Sequence, residues 1–137
     1  MYPYAKEALE NRKFAFVTDV VRLYALYTEG GVYMDTDVEV LKTFNPFLHH
    51  QMFSGFETNN NVPTGMMAAE KGSVWAKELL EQYNDRHFVL EDGSFDLTTN
   101  TTVITEYMKS KGLLLNNKYQ LVVNMSKQNQ VRFEMQN

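Results

Sequence analysis

Apolar and polar positions along this chain fall into short blocks of changing period. From about Tyr4 to Arg12, Ala5, Ala8 and Leu9 lie on one side and Lys6, Glu7 and Glu10 on the other, which predicts a short helix. From about Phe14 to Thr28, Val17, Val20, Val21, Tyr24 and Tyr27 recur at steps of three and four, the spacing of an amphipathic helix. Glu29, Gly30 and Gly31 end it, since glycine takes the left-handed turn that closes a helix. A β-rich run follows: Val32, Tyr33 and Met34, then Asp35, Thr36 and Asp37, then Val38 to Leu41. Met52 to Phe56 and Gly65 to Ala69 predict two further strands, separated by a polar loop from Glu57 to Thr64. Ser73 is placed to cap a helix reaching about Tyr83, with Val74, Trp75, Leu79 and Leu80 as its buried stripe. Another helix is expected from Thr101 to Lys111, with strand-like pieces at Tyr119 to Val123 and Val131 to Met135. The order of elements gives an α/β or α+β class.

Composition narrows the functions open to such a fold. The chain has 137 residues, 44% of them hydrophobic, enough for one domain with a real core. No apolar run approaches the roughly 20 residues that span a bilayer. Cysteine is absent, which excludes disulfides and thiolate metal sites and fits a cytoplasmic location. A net charge of −4 without any basic block argues against a nucleic-acid partner. A phosphorylated ligand in so acidic a chain would call for a cation to help hold it. His49, His50 and His87 lack the spacing of a zinc site, and solvated loop positions account for them.

The candidate chemistry centres on Asp35-Thr36-Asp37. Two acids one residue apart on extended backbone project to the same side, because strand side chains alternate. Hard carboxylate oxygens suit Mg²⁺ or Mn²⁺, which in turn hold diphosphate oxygens. In isolation the motif is weak: a chance Asp-x-Asp occurs in about one such chain in four. Its setting strengthens it, since the acids follow an apolar strand at its carboxyl end, where open α/β sheets bind ligands. Asp19 and Arg22, three apart on the preceding helix, share one face; taken alone they read as an ordinary surface ion pair. Glu57, Asn59, Asn60 and Asn61 could face an acceptor sugar, although a plain loop explains them. Asp92 and Asp96 read as loop acids, and Thr98 to Thr102 as a helix start explained by capping.

The stretch from Phe14 to Leu41 resembles the signature of sugar-transferases with a DXD-containing sugar-binding region. These include capsular-polysaccharide transferases of bacteria and yeast-type initiating mannosyltransferases, and the glucosylating clostridial toxins share the same core. The shared pattern is a small residue (Thr18 here, where serine is usual), Asp19, Arg22, an apolar helix, Gly30-Gly31, Tyr33, Asp35 and Asp37. The resemblance is clearest over residues 5–85.

It implies a GT-A-like nucleotide-diphospho-sugar transferase domain over residues 1–137, lacking the first nucleotide-binding strand–helix–strand unit. It implies Asp37 as a direct ligand of Mn²⁺ or Mg²⁺, and Asp35 as a contact to the donor ribose that also reaches the metal. Asp19 and Arg22 would hold the transferred sugar, Tyr33 would lie near the nucleoside, and Gly30 and Gly31 would let the backbone turn close to the donor. No general base is identified. The expected reaction moves a sugar from a nucleoside diphosphate donor, a UDP-sugar ahead of a GDP-sugar, to a glycan or lipid-linked glycan acceptor. Retention of configuration and a place in capsular or exopolysaccharide synthesis are expected with it. Peripheral attachment to the inner face of the membrane and self-association through an exposed sheet edge are compatible with this expectation. The alternative is an inactive transferase fragment that serves as a binding or oligomerisation module. A phosphohydrolase using Asp-x-Asp ranks last, because the expected aspartate nucleophile and downstream lysine and acid are not visible.

Overall fold

The computed structural model of the chain describes residues 2–55, 61–116, 120–124 and 131–136. Four α-helices and a five-stranded sheet form the described part: α1 (Pro3–Glu10), α2 (Phe14–Glu29), β1 (Gly31–Met34), β2 (Met52–Gly55), β3 (Met66–Ala69), α3 (Val74–Glu81), α4 (Asn100–Ser110), β4 (Gln120–Asn124) and β5 (Val131–Gln136), with a 3-10 turn at Asn45–Phe47. Strand order is β1-β3-β2-β5-β4. All neighbours are antiparallel except β2 and β5, which run parallel with Met52 opposite Phe133. The fold is therefore mixed helix and a small, mostly antiparallel sheet.

Helix α2 is the central support, packing against both α1 and α3. Its buried stripe differs from the expected one. Val20, Leu23 and Leu26 point into the core, whereas Val21 and Tyr24 are each 53% exposed. Both stripes fit a helical period; what decides between them is which face α1, α3 and the sheet cover. On α1, Tyr4, Ala5 and Ala8 are buried and Leu9 is exposed, for the same reason. Trp75, Leu79 and Leu80 lie in the core as expected, joined by Ala76. Ser73 accepts a hydrogen bond from the Ala76 amide (3.5 Å) and caps α3.

Glycine is required where α2 meets β1. Gly30 sits at φ 71°, and its N–H donates to the Leu26 carbonyl at 3.0 Å. A Cβ there would lie 2.6 Å from the Lys71 amide nitrogen. The neighbouring Gly72 N–H donates to the Tyr27 carbonyl at 2.8 Å, so the turn before α3 closes over the end of α2. This close approach aims β1 along β3, with Tyr33 opposite Met67.

Two expectations about the acid motif fail here. First, the apolar strand expected to lead the acids out of the core is an edge strand: β1 is half-exposed and, among the described residues, pairs with β3 alone. Second, Asp35-Thr36-Asp37 is not extended: Val38 N–H donates to the Asp35 carbonyl at 3.1 Å, which makes the segment a turn. The ladder stops because β3 starts at Met66, and Asp35 N–H takes the Gly65 carbonyl (2.8 Å) as its last partner. Val38 to Leu41 then leaves the sheet without strand pairing, Leu41 being 82% exposed. Of the remaining expectations, Phe56, Glu57, Asn59, Asn60 and Tyr119 lie outside the described residues.

Candidate functional site

The site forms where the middle of α2, the end of β1 and the loop before β3 converge. Arg22 is its organiser. Buried to 7% exposure, it donates from Nη1 to the Thr64 carbonyl at 2.6 Å and from Nε to the Thr18 carbonyl at 3.3 Å. Its guanidinium lies 4.8 Å from the centre of the Tyr33 ring, a cation–π contact. Two carboxylates face it at ion-pair rather than hydrogen-bond distance: Asp19 at 3.7 Å and Asp35 at 3.9 Å. Arginine carries five N–H donors in a fixed fork, and two of them are spent on main-chain carbonyls. Nη2 and Nη1 also lie at ion-pair distance from Asp19 and Asp35, a donor set suited to oxygen-rich ligands.

This is not the ordinary surface ion pair that the spacing of Asp19 and Arg22 alone suggests. The Asp19 side chain keeps only 13% exposure. Burial pushes its carboxyl up to about 6; Arg22, the Asn100 main-chain N–H and Arg86 act in the opposite direction, while the charge of Asp35 adds to the rise. A carboxylate so desolvated gains from any ligand that brings hydroxyl donors.

Tyr33 and Asp35 act as a pair. The Tyr33 hydroxyl donates to Asp35 Oδ1 at 2.7 Å, and burial followed by this bond pushes the phenol up from its ordinary value. Oδ2 points elsewhere, 3.2 Å from where a Cβ on Gly65 would stand. Asp37 is exposed in the turn and pairs with no described residue. Gly31, also expected at the site, has φ 105° and open space beside it. Asp19, Arg22, Tyr33 and Asp35 are thus brought together, with Asp37 two residues beyond on the same turn. Tyr33 contributes by holding Asp35 and underlying Arg22.

Several contributors carry no sequence signal. Thr64 and Gly65 act through carbonyl oxygens, which every residue possesses. Asn100 and Thr101, expected only to start a helix, also reach the site: Asn100 Nδ2 donates to the Asp19 carbonyl at 3.4 Å, and the Thr101 and Thr64 hydroxyls are 3.4 Å apart. Asp92 is an ordinary loop acid, accepting from Ser94. Asp96 is more: it pairs with Arg86 at 2.9 Å, and Arg86 stacks over Tyr4 and Tyr83 beneath the site.

Residues 2–54 match the family described as glycosyltransferase sugar-binding region containing DXD motif. The matched segment runs from α1 into β2 and holds Asp19, Arg22, Tyr33, Asp35 and Asp37; Thr64, Gly65 and Asn100 lie beyond it. Among curated proteins, the chain is 35% identical over 54 residues to inositol phosphoceramide mannosyltransferase 3 of Schizosaccharomyces pombe, covering 39% of this chain and 15% of that protein. It is 40% identical over 43 residues to toxin Afp18 of Yersinia ruckeri, covering 31% of this chain and 2% of the toxin. The chain therefore spans a small part of the length of these relatives. No solved structure matches it.

Proposed function

We propose that this chain carries the donor-sugar and metal-binding part of a GT-A-type glycosyltransferase, which moves a sugar from a nucleoside diphosphate to a glycan acceptor. The observation that carries the proposal is the buried Arg22, fixed by two main-chain carbonyls and facing Asp19 and Asp35 across gaps of 3.7 and 3.9 Å. Neither contact is as short as a hydrogen bond, so carboxylate oxygens and guanidinium N–H groups keep capacity for a ligand. The order of α2, glycine turn, edge strand and acid turn supports the GT-A assignment.

Mg²⁺ or Mn²⁺ fits the donor set. Asp35 keeps Oδ2 clear of Tyr33, and Asp37 stands exposed two residues on. Among the described residues no third acid or histidine joins them, which suits a cation that completes its shell with diphosphate oxygens and water. When bound, the cation supplies Lewis-acid neutralisation of the departing diphosphate. Arg22 offers N–H donors to the anionic donor, Asp19 accepts hydrogen bonds from sugar hydroxyls, and Tyr33 fixes the orientation of Asp35. Catalysis then rests on positioning and charge stabilisation. A UDP-sugar donor, retention of configuration and a role in capsular or exopolysaccharide synthesis at the inner membrane face are further parts of the proposal, supported by the motif resemblance. The mannosyl transfer in the name of the Schizosaccharomyces relative supports testing a GDP donor as well.

Calorimetric titration of UDP and of GDP, with and without Mn²⁺, tests it. The expected result is binding of one nucleotide that requires the metal and is lost in Asp37→Ala. Absence of binding by a folded protein under every condition would overturn the proposal and leave the reading as a non-catalytic binding module.

A further inference from the structure

The first turn of α4 does more than begin a helix. Thr99 already supplies the cap, its hydroxyl accepting from the Thr102 amide at 3.3 Å. Asn100 follows at 2% exposure, with both ends of its carboxamide engaged. Oδ1 accepts from the Tyr83 hydroxyl at 2.9 Å, and Nδ2 donates to the main-chain carbonyl of Asp19 at 3.4 Å. The main-chain N–H of Asn100, one of the donors a helix start leaves without a helical partner, holds the proton affinity of the Asp19 carboxyl down against the effect of burial. The Asn100 side chain therefore ties the start of α4 directly to the Asp19 main chain. Thr101 extends the contact to Thr64, whose carbonyl anchors Arg22.

Burying a carboxamide is unfavourable unless its polar atoms are bonded, and asparagine is a mediocre helix former. An apolar residue at this position would fill the same space beside Tyr83. What it could not do is tie α4 to α2 at the height of Asp19. The other charged or titratable groups facing Asp19 are Arg22, Arg86, Asp35, Tyr4, Tyr33 and Tyr83, and none of their side chains hydrogen-bonds the Asp19 main chain.

We propose that Asn100 is a positioning residue: by joining the start of α4 to α2 it sets the direction in which the Asp19 carboxylate meets the hydroxyls of a donor sugar. The inference rests on the donor-site reading above. Asn100 itself does not touch the ligand.

The test uses the full chain with Asn100→Ala, and with Tyr83→Phe as a gentler variant that removes only the hydroxyl orienting the carboxamide. One readout needs no ligand: carbon-detected NMR titration of the Asp19 carboxyl. Its midpoint should move further up in Asn100→Ala, because the donor N–H drifts from the carboxylate, and by less in Tyr83→Phe. The second readout compares UDP with UDP-glucose, and GDP with GDP-mannose, in Mn²⁺. Affinity for the nucleotide-sugar should fall about tenfold, which corresponds to 1.4 kcal/mol, while affinity for the bare nucleotide stays unchanged. An unmoved Asp19 midpoint, or equal losses for nucleotide and nucleotide-sugar, would overturn the inference. If the wild type binds no nucleotide, the donor-site reading fails, and the titration still decides whether Asn100 positions Asp19. If Asn100→Ala does not fold, Tyr83→Phe carries both readouts in the same directions.

Discussion

Replacing Asp19 by asparagine should make the protein more stable at neutral pH while weakening its hold on a sugar. The carboxyl titrates at about 6 in the folded protein against an ordinary 3.8. The sign follows from which state ionises first. Below 3.8 the group is protonated in both folded and unfolded chains and favours neither. Between 3.8 and 6 the unfolded chain releases its proton while the native one keeps it, so stability falls as pH rises. Above 6 the penalty is complete, because the native state must bury a charge that Arg22, 3.7 Å away, only partly compensates. Each tenfold change in proton affinity corresponds to about 1.4 kcal/mol, which puts the penalty at about 3 kcal/mol. That figure is a ceiling, since the side chain keeps 13% exposure. Asp19→Asn retains the shape and removes the charge, and Arg22 keeps its bonds to Thr64 and Thr18. Urea unfolding of both proteins at pH 3.5 and 7.5 measures the effect. The variant should gain on the wild type by up to about 3 kcal/mol between those two pH values. Glu7 and Asp96, whose carboxyls are held low, lose their stabilising contribution as pH falls, but equally in both proteins. A stability difference that does not change with pH would refute the argument.

Two glycines and the acid motif give sharper structural tests. Gly30→Ala should cost at least about 2 kcal/mol in unfolding free energy, combining left-handed backbone strain with overlap against Lys71; an unchanged denaturation midpoint would contradict the close approach. Gly65→Ala should cost about 1 kcal/mol or less in stability, yet displace Asp35 Oδ2 and lower Mn²⁺-dependent nucleotide affinity about tenfold. Calorimetry showing wild-type affinity in that variant would mean the oxygen facing Gly65 takes no part in binding. Asp37→Ala, exposed in its turn, should abolish metal-dependent binding while leaving the melting temperature within a few degrees, a pattern that distinguishes a ligand-binding residue from a structural one.

The elements of this chain were largely legible from local pattern: α2, the glycine stop, the start of β1, the Ser73 cap and the helix at Asn100 all sit within a residue or two of their expected bounds. Local pattern suffices there because periodicity, caps and left-handed glycines act over a few residues. The spacing of Asp19, Arg22, Tyr33, Asp35 and Asp37 was likewise readable, since one helix and one strand joined by a tight turn carry it. Tertiary structure alone decided the rest. Which face of α2 is buried depends on what packs against it, so Val21 and Tyr24 were misplaced. Whether Val32 to Leu41 continues as strand depends on how far its partner extends, and β3 begins at Met66. The Asp19–Arg22 pair became a desolvated site only because Thr64, Gly65 and Asn100, distant in sequence, close around it. Their contributions are mostly main-chain atoms and one buried carboxamide, groups whose role arises from position and leaves no mark in composition or spacing.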